Sequence, residues 1–149
     1  NWGNRISNMD LNIYVEKLYQ AWIKYKGVRI LVDYDDTIKP YNTASEALCK
    51  DIINTLIEAQ ELGATVVLWT CRSGSRLKEA VNYCKSVGLE FTDVNPVEPF
   101  LPGYSMKAYG NILLDDKAGL EQALTTLKLA LYKYKKFVYE INEKQRLQS

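Results

Sequence analysis

The sequence predicts an α/β domain with an open, doubly wound, Rossmann-like parallel sheet, helices on both faces and no sizeable cap. Short runs of β-branched and aliphatic residues alternate with longer amphipathic segments, the order typical of strands joined by helical crossovers. The chain has 149 residues, 47% of them hydrophobic, which suits one well-packed domain. Only 4 Pro and 8 Gly are present, which excludes linker-like and collagen-like compositions. We expect a single domain, 1–149, with an N-terminal helix (1–27), a core (28–118) and a C-terminal helix (119–149).

Capping signals, apolar periodicity and turn residues define eight elements. Ser7, three residues before Asp10, and Thr43, three residues before Glu46, have the spacing of capping patterns at the starts of the first two helices. Three prolines within residues 95–103 predict a loop. The predicted helices cover 7–27, 43–62, about 73–88 and the chain from about 119, and the predicted strands cover 28–32, 65–69, 89–94 and 111–114.

The composition excludes several kinds of chemistry. Without His, the chain supplies no Ser-His-Asp triad, no Cys-His dyad and no imidazole ligand. The formal net charge of +1 lacks the basic excess of a dedicated nucleic-acid-binding protein. Cys49, Cys71 and Cys84 lack CxxC spacing, so we expect a reduced, cytoplasmic protein with Cys71 and Cys84 as packing residues. No signal peptide or long apolar run is evident, so we expect no membrane partner.

Acidic residues follow two of the four predicted strands. Asp33 and Asp35 come after the first strand, and Asp115 and Asp116 come after the fourth. In an open parallel sheet, ligands bind beyond the carboxyl ends of the strands, so we expect these side chains to converge. A hard divalent cation relieves repulsion between clustered carboxylates, and Mg²⁺ takes oxygen ligands. The sequence therefore predicts Mg²⁺ as a cofactor.

The spacing of these acids with other polar residues resembles that of the haloacid dehalogenase superfamily. Four motifs carry the resemblance: Asp33-x-Asp35-x-Thr37 after strand one, Thr70 after strand two, Lys107 before strand four and Asp115-Asp116 after it. They span about residues 28–118 in the family's order. The strings at 69–72 and 115–118 are also similar to those of small phage and bacterial hydrolases in this superfamily. The resemblance implies an enzyme, a phosphatase that hydrolyses phosphate monoesters.

The resemblance assigns four catalytic residues. It makes Asp33 the nucleophile that forms an aspartyl-phosphate and Asp35 the acid and base that serves the leaving group and then water. Thr70 is expected to hydrogen-bond the phosphoryl oxygens. Lys107 is expected to offset negative charge on the phosphate and on Asp33. These roles suit the residue types, since a carboxylate can act as a nucleophile and a second carboxyl can transfer protons.

The resemblance also assigns metal and substrate contacts. The expected metal set is Asp33, Asp35 through its carbonyl, and Asp115, with Asp116 as a partner of water or of Lys107; the sequence does not decide between Asp115 and Asp116 as the direct ligand. Thr37 is expected to hold the loop at the substrate site. Arg72 is expected to contact the substrate's phosphate or its distal part, with a surface arginine as the alternative.

Asp36 departs from the commonest family pattern, which has Gly at this position, and we expect it to alter the packing of the loop. A cysteine-phosphatase loop starting at Cys71 is disfavoured, because only four residues separate Cys71 from Arg76 where those enzymes have five. A phosphoacceptor switch resembling a response-regulator receiver is disfavoured by the order of the acidic motifs. A catalytically silent binding domain is disfavoured by the presence of both Asp33 and Asp35.

The short segments after Thr37 and over residues 95–106 leave no room for a folded cap. The sequence therefore does not specify the identity of the substrate. A nucleotide, a sugar phosphate or a phosphorylated nucleic-acid end would fit.

Apolar stripes on the first and last helices predict that these helices pair with each other or form a homo-oligomer contact. Lysines and tyrosines interleave along the last helix, which permits nucleic-acid binding but indicates a solvated helix face more strongly.

Overall fold

A computed structural model describes residues 2–96 and 108–149, with side chains described from residue 11 onward. Helices and strands alternate in the order expected of an α/β domain. The helices are α1 (Trp2–Tyr25), α2 (Glu46–Glu61), α3 (Gly74–Ser86) and α4 (Leu120–Gln148), and the strands are β1 (Arg29–Val32), β2 (Thr65–Leu68), β3 (Asp93–Val94) and β4 (Ile112–Leu114).

The four strands form one sheet in the order β3-β2-β1-β4, and every neighbouring pair is parallel. Ile30 lies beside Val66 on one side and Ile112 on the other. Since the chain moves from β1 to β2 on one side and β4 joins β1 on the other, the strand order switches at β1. The predicted open, Rossmann-like parallel sheet is confirmed.

The helices of the described residues pack against one face of this sheet, so the prediction of helices on both faces is wrong. Alternate strand residues such as Ile30 and Val66 share one hydrophobic core with buried residues of all four helices. The opposite face carries Leu31 and Val67, with Ala108 packed against them. The steps from β1 to β2 and from β2 to β3 run in the same direction, and right-handed crossovers then place α2 and α3 on the same face.

Three predicted boundaries move. α1 begins at Trp2, so Ser7 lies inside the helix and does not cap it. The N-cap of α2 is Ser45, whose hydroxyl accepts from the Leu48 N–H at 3.1 Å, and Thr43 does not cap the helix. β3 shrinks to two residues, although the Thr92 N–H still donates to the Val66 carbonyl at 2.9 Å. The predicted positions of β1, β2, α3, β4 and α4 hold to within one or two residues.

The terminal helices α1 and α4 pack on each other within the chain. The Trp22 ring stacks on Tyr134 with centroids 5.3 Å apart, and Tyr19 meets Phe137 edge to face. The α4 residues buried in the core end at Tyr134. A helix of 29 residues measures about 43 Å, so the rest of α4 extends beyond its buried part. The apolar stripes of the two helices therefore serve an intramolecular contact.

Three lysines of α4 form ion pairs with acidic residues of α1 and α2. Lys128 pairs with Asp51, Lys133 with Glu16, and Lys135 with Glu58. Each of these lysines therefore lies beside an acidic side chain of a neighbouring helix. Among the helices described, none has the length and apolar character needed to cross a membrane.

Candidate active site

The site lies at the carboxyl edge of the sheet, where β1 and β4 end side by side. Asp33 follows β1, and its N–H donates to the Leu114 carbonyl at 2.9 Å, which extends the pairing with β4 by one residue. Asp115 follows β4 directly. This position coincides with the switch in strand order, the usual ligand-binding crevice of an open parallel sheet.

Three carboxylates converge there and form what we call the acidic cluster, Asp33, Asp115 and Asp116. One carboxylate oxygen from each lies within 4.8 Å of the others. Asp33 and Asp115 are half-buried and Asp116 is exposed. Burial raises the pKa of Asp33 to about 7, and the Tyr34 backbone N–H opposes that rise. The charge of Asp115, a side-chain hydrogen bond with Asp116 and the charge of Asp116 add to it. This arrangement is the one the sequence predicts for these three residues.

Asp115 and Asp116 differ in their positions at the site. Its side chain borders the same pocket as Asp33, whereas Asp116 is exposed. One oxygen of Asp115, Oδ1, accepts from the Lys117 N–H at 2.9 Å, which fixes the carboxylate. Asp115 therefore borders the pocket as well as belonging to the acidic cluster, and Asp116 belongs to the cluster without bordering the pocket.

A pocket of about 420 Å³ opens beside the acidic cluster, and Thr70 forms part of its wall. The Thr70 Oγ1 atom accepts from the Arg72 N–H at 3.2 Å, which leaves the hydroxyl proton for another acceptor. The residues lining the pocket are Asp33, Trp69, Thr70, Cys71, Asn95, Pro96 and Asp115.

Asn95 is a residue of the site that the sequence reasoning missed. Its side-chain carbonyl accepts from the Thr70 N–H at 2.7 Å, so it ties the end of β3 to the end of β2. The backbone of Asn95 is left-handed, with a φ of 44°. Asn adopts this conformation more readily than most residues, and an Asn directly after a strand and before Pro96 was the available signal.

Asp35 stands apart from the acidic cluster because its carboxylate is held by Arg72. Two hydrogen bonds join them, from Nε to Oδ2 at 2.9 Å and from Nη2 to Oδ1 at 2.7 Å. The Arg72 guanidinium also lies over the Tyr34 ring, 4.7 Å from its centroid. We predicted that Arg72 contacts the substrate phosphate, but in the structure it hydrogen-bonds Asp35, the predicted acid and base. The Asp35 side chain does not belong to the candidate metal set, which leaves its carbonyl as the group that the resemblance implied.

Asp36 has a different function from its neighbours. Its carboxylate accepts from the backbone N–H groups of four consecutive residues, 41–44, at 2.8 to 3.1 Å. These bonds, the one from Ala44 foremost, lower the pKa of Asp36 below its usual range. They also explain why α2 begins later than expected, since the amide of Thr43 is bound to Asp36. The backbone of Asp36 is left-handed, with a φ of 58°, a conformation that glycine adopts without steric cost.

Thr37 is fully buried, and its N–H donates to the Tyr34 carbonyl at 3.2 Å. Its hydroxyl has no hydrogen-bond partner in the described part of the chain. Burial favours the predicted role in holding the loop over direct contact with a substrate. Lys107 lies outside the described residues, so its predicted place at the site stays a prediction.

The cysteines divide into two kinds. Cys84 is fully buried, as expected for a packing residue, and burial raises its pKa to about 12. Cys71 is exposed at the rim of the site pocket, so the prediction that it packs in the core is wrong. It follows Trp69 and Thr70, where the chain has left β2 and turns toward α3. Cys49 is buried.

A larger cavity of about 740 Å³ lies between α1, α4 and β4. Its walls are mainly apolar, and Lys17 is the charged residue among the described ones lining it. It lacks the converging acids of the smaller pocket. The pocket beside the acidic cluster is therefore the candidate active site, because carboxylates line it.

The fold and site define an open, parallel α/β domain with an acidic site at its strand switch. A solved structure similar to the chain is described as the conserved protein coded by a locus from Bacteroides thetaiotaomicron. The two share 30% sequence identity and a TM-score of 0.52 over 62% of this chain and 78% of that chain. The chain therefore belongs to the same family as that bacterial protein, whose description names no activity. Neither a protein-family model nor a curated protein matches the chain.

Proposed function

We propose that the protein is a Mg²⁺-dependent hydrolase of phosphate monoesters that acts through an aspartyl-phosphate on Asp33. The observation that carries this proposal is the acidic cluster at the strand switch, beside a pocket bordered by the Thr70 side chain. The motif order over residues 28–118 supports the same reading by resemblance. A His-free chain with these groups suits carboxylate nucleophilic catalysis.

The donor set of the acidic cluster fits Mg²⁺. It consists of carboxylate oxygens alone, which are the ligands this hard cation prefers, and it brings them within 4.8 Å of one another. None of the salt bridges within the described residues neutralises Asp33, Asp115 or Asp116. When bound, Mg²⁺ would supply positive charge to the phosphoryl oxygens and to the acids. Asp33 and Asp115 would hold it.

The residues of the chain divide the reaction into two steps. In the first, an Asp33 oxygen bonds to phosphorus as the ester P–O bond breaks, and Asp35 in its acid form donates its proton to the departing alcohol oxygen. In the second, water attacks the phosphorus of the aspartyl-phosphate as the bond between phosphorus and the Asp33 oxygen breaks, and the water passes a proton to the Asp35 carboxylate. Inorganic phosphate leaves, and Asp33 and the acid form of Asp35 are restored.

Two groups are suited to hold the phosphoryl oxygens during both steps. The Thr70 hydroxyl has a proton to donate, because its oxygen serves as an acceptor for Arg72. The first amides of α3 follow shortly after, and the Ser73 side chain makes no capping hydrogen bond to them. Free N–H groups at a helix start favour an anion. Lys107 would add a cation, as the resemblance implies.

The test is hydrolysis of a panel of phosphate esters that includes nucleotides, sugar phosphates and oligonucleotides phosphorylated at the 3′ or 5′ end. We expect at least one ester to be hydrolysed with Mg²⁺ and not with EDTA. Asp33→Asn should fold normally and lose about 10⁴-fold or more in turnover, since it removes the nucleophile. Asp93→Asn, an exposed acid of β3, is the matched control and should keep full activity.

Three outcomes would overturn this function. Activity of Asp33→Asn near that of the wild type would exclude the nucleophile, and full activity in EDTA would exclude the metal. A stable phosphorylated Asp33 without turnover would identify a phosphoacceptor switch.

A further inference from the structure

Asp35 and Arg72 form a two-point contact that fixes the orientation of a carboxylate. The Nε–Oδ2 and Nη2–Oδ1 distances are 2.9 and 2.7 Å, so both carboxylate oxygens are engaged by one guanidinium. Paired bonds of this kind define the plane and direction of the carboxylate as well as its position. Lysine offers a single charged centre and cannot reproduce that geometry.

Arg72 is itself held in place by packing. Its guanidinium lies 4.7 Å from the centroid of the buried Tyr34 ring, and the edge-to-face contact between Tyr34 and Tyr83 supports that ring. The side chain of Arg72 is 13% exposed. Because packing restricts the arginine already, the contact with Asp35 costs less conformational entropy than an ion pair between two mobile surface residues.

The contact separates Asp35 from the acidic cluster. Asp35 lies two residues after Asp33 at the same edge of the sheet, yet its carboxylate is absent from the group of oxygens that could hold a metal. Among the described residues, Arg72 is the side chain that hydrogen-bonds the Asp35 carboxylate. Two of the five guanidinium N–H groups of Arg72 are directed at Asp35, and Nη1 is directed at the Arg76 carbonyl at 3.4 Å.

We propose that Arg72 is a positioning residue that holds the Asp35 carboxylate out of the metal site and beside the reacting oxygen atoms. This inference rests on the proposed function and adds a residue that acts on the reaction through Asp35. It replaces the expectation that Arg72 binds substrate. The Tyr34 ring packs against the guanidinium and keeps it in this position.

The kinetic test uses the ester found in the panel, or p-nitrophenyl phosphate, and a cycle of variants. Arg72→Met should lower kcat by about 10-fold or more while KM changes by less than about 2-fold. In an Asp35→Asn background, Arg72→Met should cause no further loss, because the group through which it acts is already removed. Arg72→Lys should recover only part of the lost kcat, since it can form one of the two bonds.

Arg76→Met is the matched control, because Arg76 is an exposed arginine on α3 one turn beyond Arg72. It should leave kcat and KM unchanged. A rise in KM for Arg72→Met that persists in the Asp35→Asn background would overturn the proposal and identify Arg72 as a phosphate-binding residue. Equal effects of Arg72→Met and Arg76→Met would also overturn it.

A structural test separates failure of this inference from failure of the proposed function. If the wild type hydrolyses no ester, crystal structures of Arg72→Met and Arg76→Met still measure where the Asp35 carboxylate lies. It should move in the first variant and stay in the second. An Asp35 carboxylate that keeps its position without Arg72 would contradict the positioning role, whatever the protein's activity.

Discussion

Asp33 and Asp36 lie three residues apart in the chain after β1, and their carboxylates have opposite electrostatic environments. Asp36 receives hydrogen bonds from four backbone N–H groups of residues 41–44, and its pKa is lowered. Asp33, three residues earlier, is half-buried against Asp115 and Asp116, and its pKa is raised to about 7. The folded protein thus favours the charged form of Asp36 and disfavours the charged form of Asp33.

The difference separates an acid that is satisfied within the fold from one that the proposed function uses. Backbone amides satisfy Asp36 inside the loop, so that carboxylate needs no further partner. The acidic cluster concentrates negative charge at a strand switch without a cation from the described residues, and in the proposed function Mg²⁺ relieves that repulsion. The contrast predicts that substitutions in the acidic cluster affect activity and substitutions at Asp36 affect stability.

The largest effect after that of Asp33 is expected at Asp115. Asp115→Asn should lower Mg²⁺-dependent turnover by about 10³-fold, since it removes a charged ligand at the reacting centre. Asp116→Asn should have a smaller effect, because Asp116 is exposed and does not border the pocket. Steady-state kinetics over a range of Mg²⁺ concentrations measures both. A larger loss in Asp116→Asn would reverse the assignment of the ligand.

Lys107→Ala should lower turnover by about 10²-fold, if Lys107 is the preorganised cation that the resemblance implies. Lys117→Ala is the matched control, because Lys117 is exposed and contacts Asp115 through its backbone N–H rather than its side chain. The same assay compares them. The opposite ranking would make Lys117 the functional cation and place the third motif elsewhere.

Asp36→Ala should lower the Tm by several degrees at pH 7 and leave the metal affinity of the folded protein nearly unchanged. The folded-state pKa of Asp36 is lowered, so its stabilisation is present above the unfolded pKa of about 4 and is lost as the pH falls through the folded value. The Tm difference between wild type and variant should therefore shrink at low pH. Thermal unfolding followed by circular dichroism from pH 3 to pH 7 measures it, and a constant difference would contradict the role of the charge.

The smallest effect is expected at the exposed ion pairs of α4. Lys133→Met removes a pair with Glu16 whose side chains are both more than 40% exposed, so the free energy of unfolding should change by no more than is typical of an exposed surface pair. Urea denaturation measures the change. A loss several times larger would show that the pairing of α1 with α4 depends on charge as well as on the contact between Trp22 and Tyr134.

The acidic residues at the strand ends could be predicted from the sequence, whereas the hydrogen bonds between side chains distant in the sequence could not. Short apolar runs followed by Asp33 and Asp115 located the acidic cluster, because parallel strands bring their carboxyl ends to one edge. The pairing of Asp35 with Arg72 joins residues 37 positions apart, and no local pattern specifies it. The same holds for the bond between Asn95 and Thr70. The shared face of α2 and α3 could be predicted from crossover handedness, but only once the strand order was known.

Binding of Mg²⁺ to the metal-free protein, measured by isothermal titration calorimetry, tests the central claim most directly. The wild type and Asp36→Ala should each bind one Mg²⁺ per chain, and Asp115→Asn should bind at least about 10-fold more weakly. Such a result would establish that the acidic cluster, and not the satisfied Asp36, takes the cation. Equal affinity in the wild type and Asp115→Asn, or no binding by the wild type, would contradict the account.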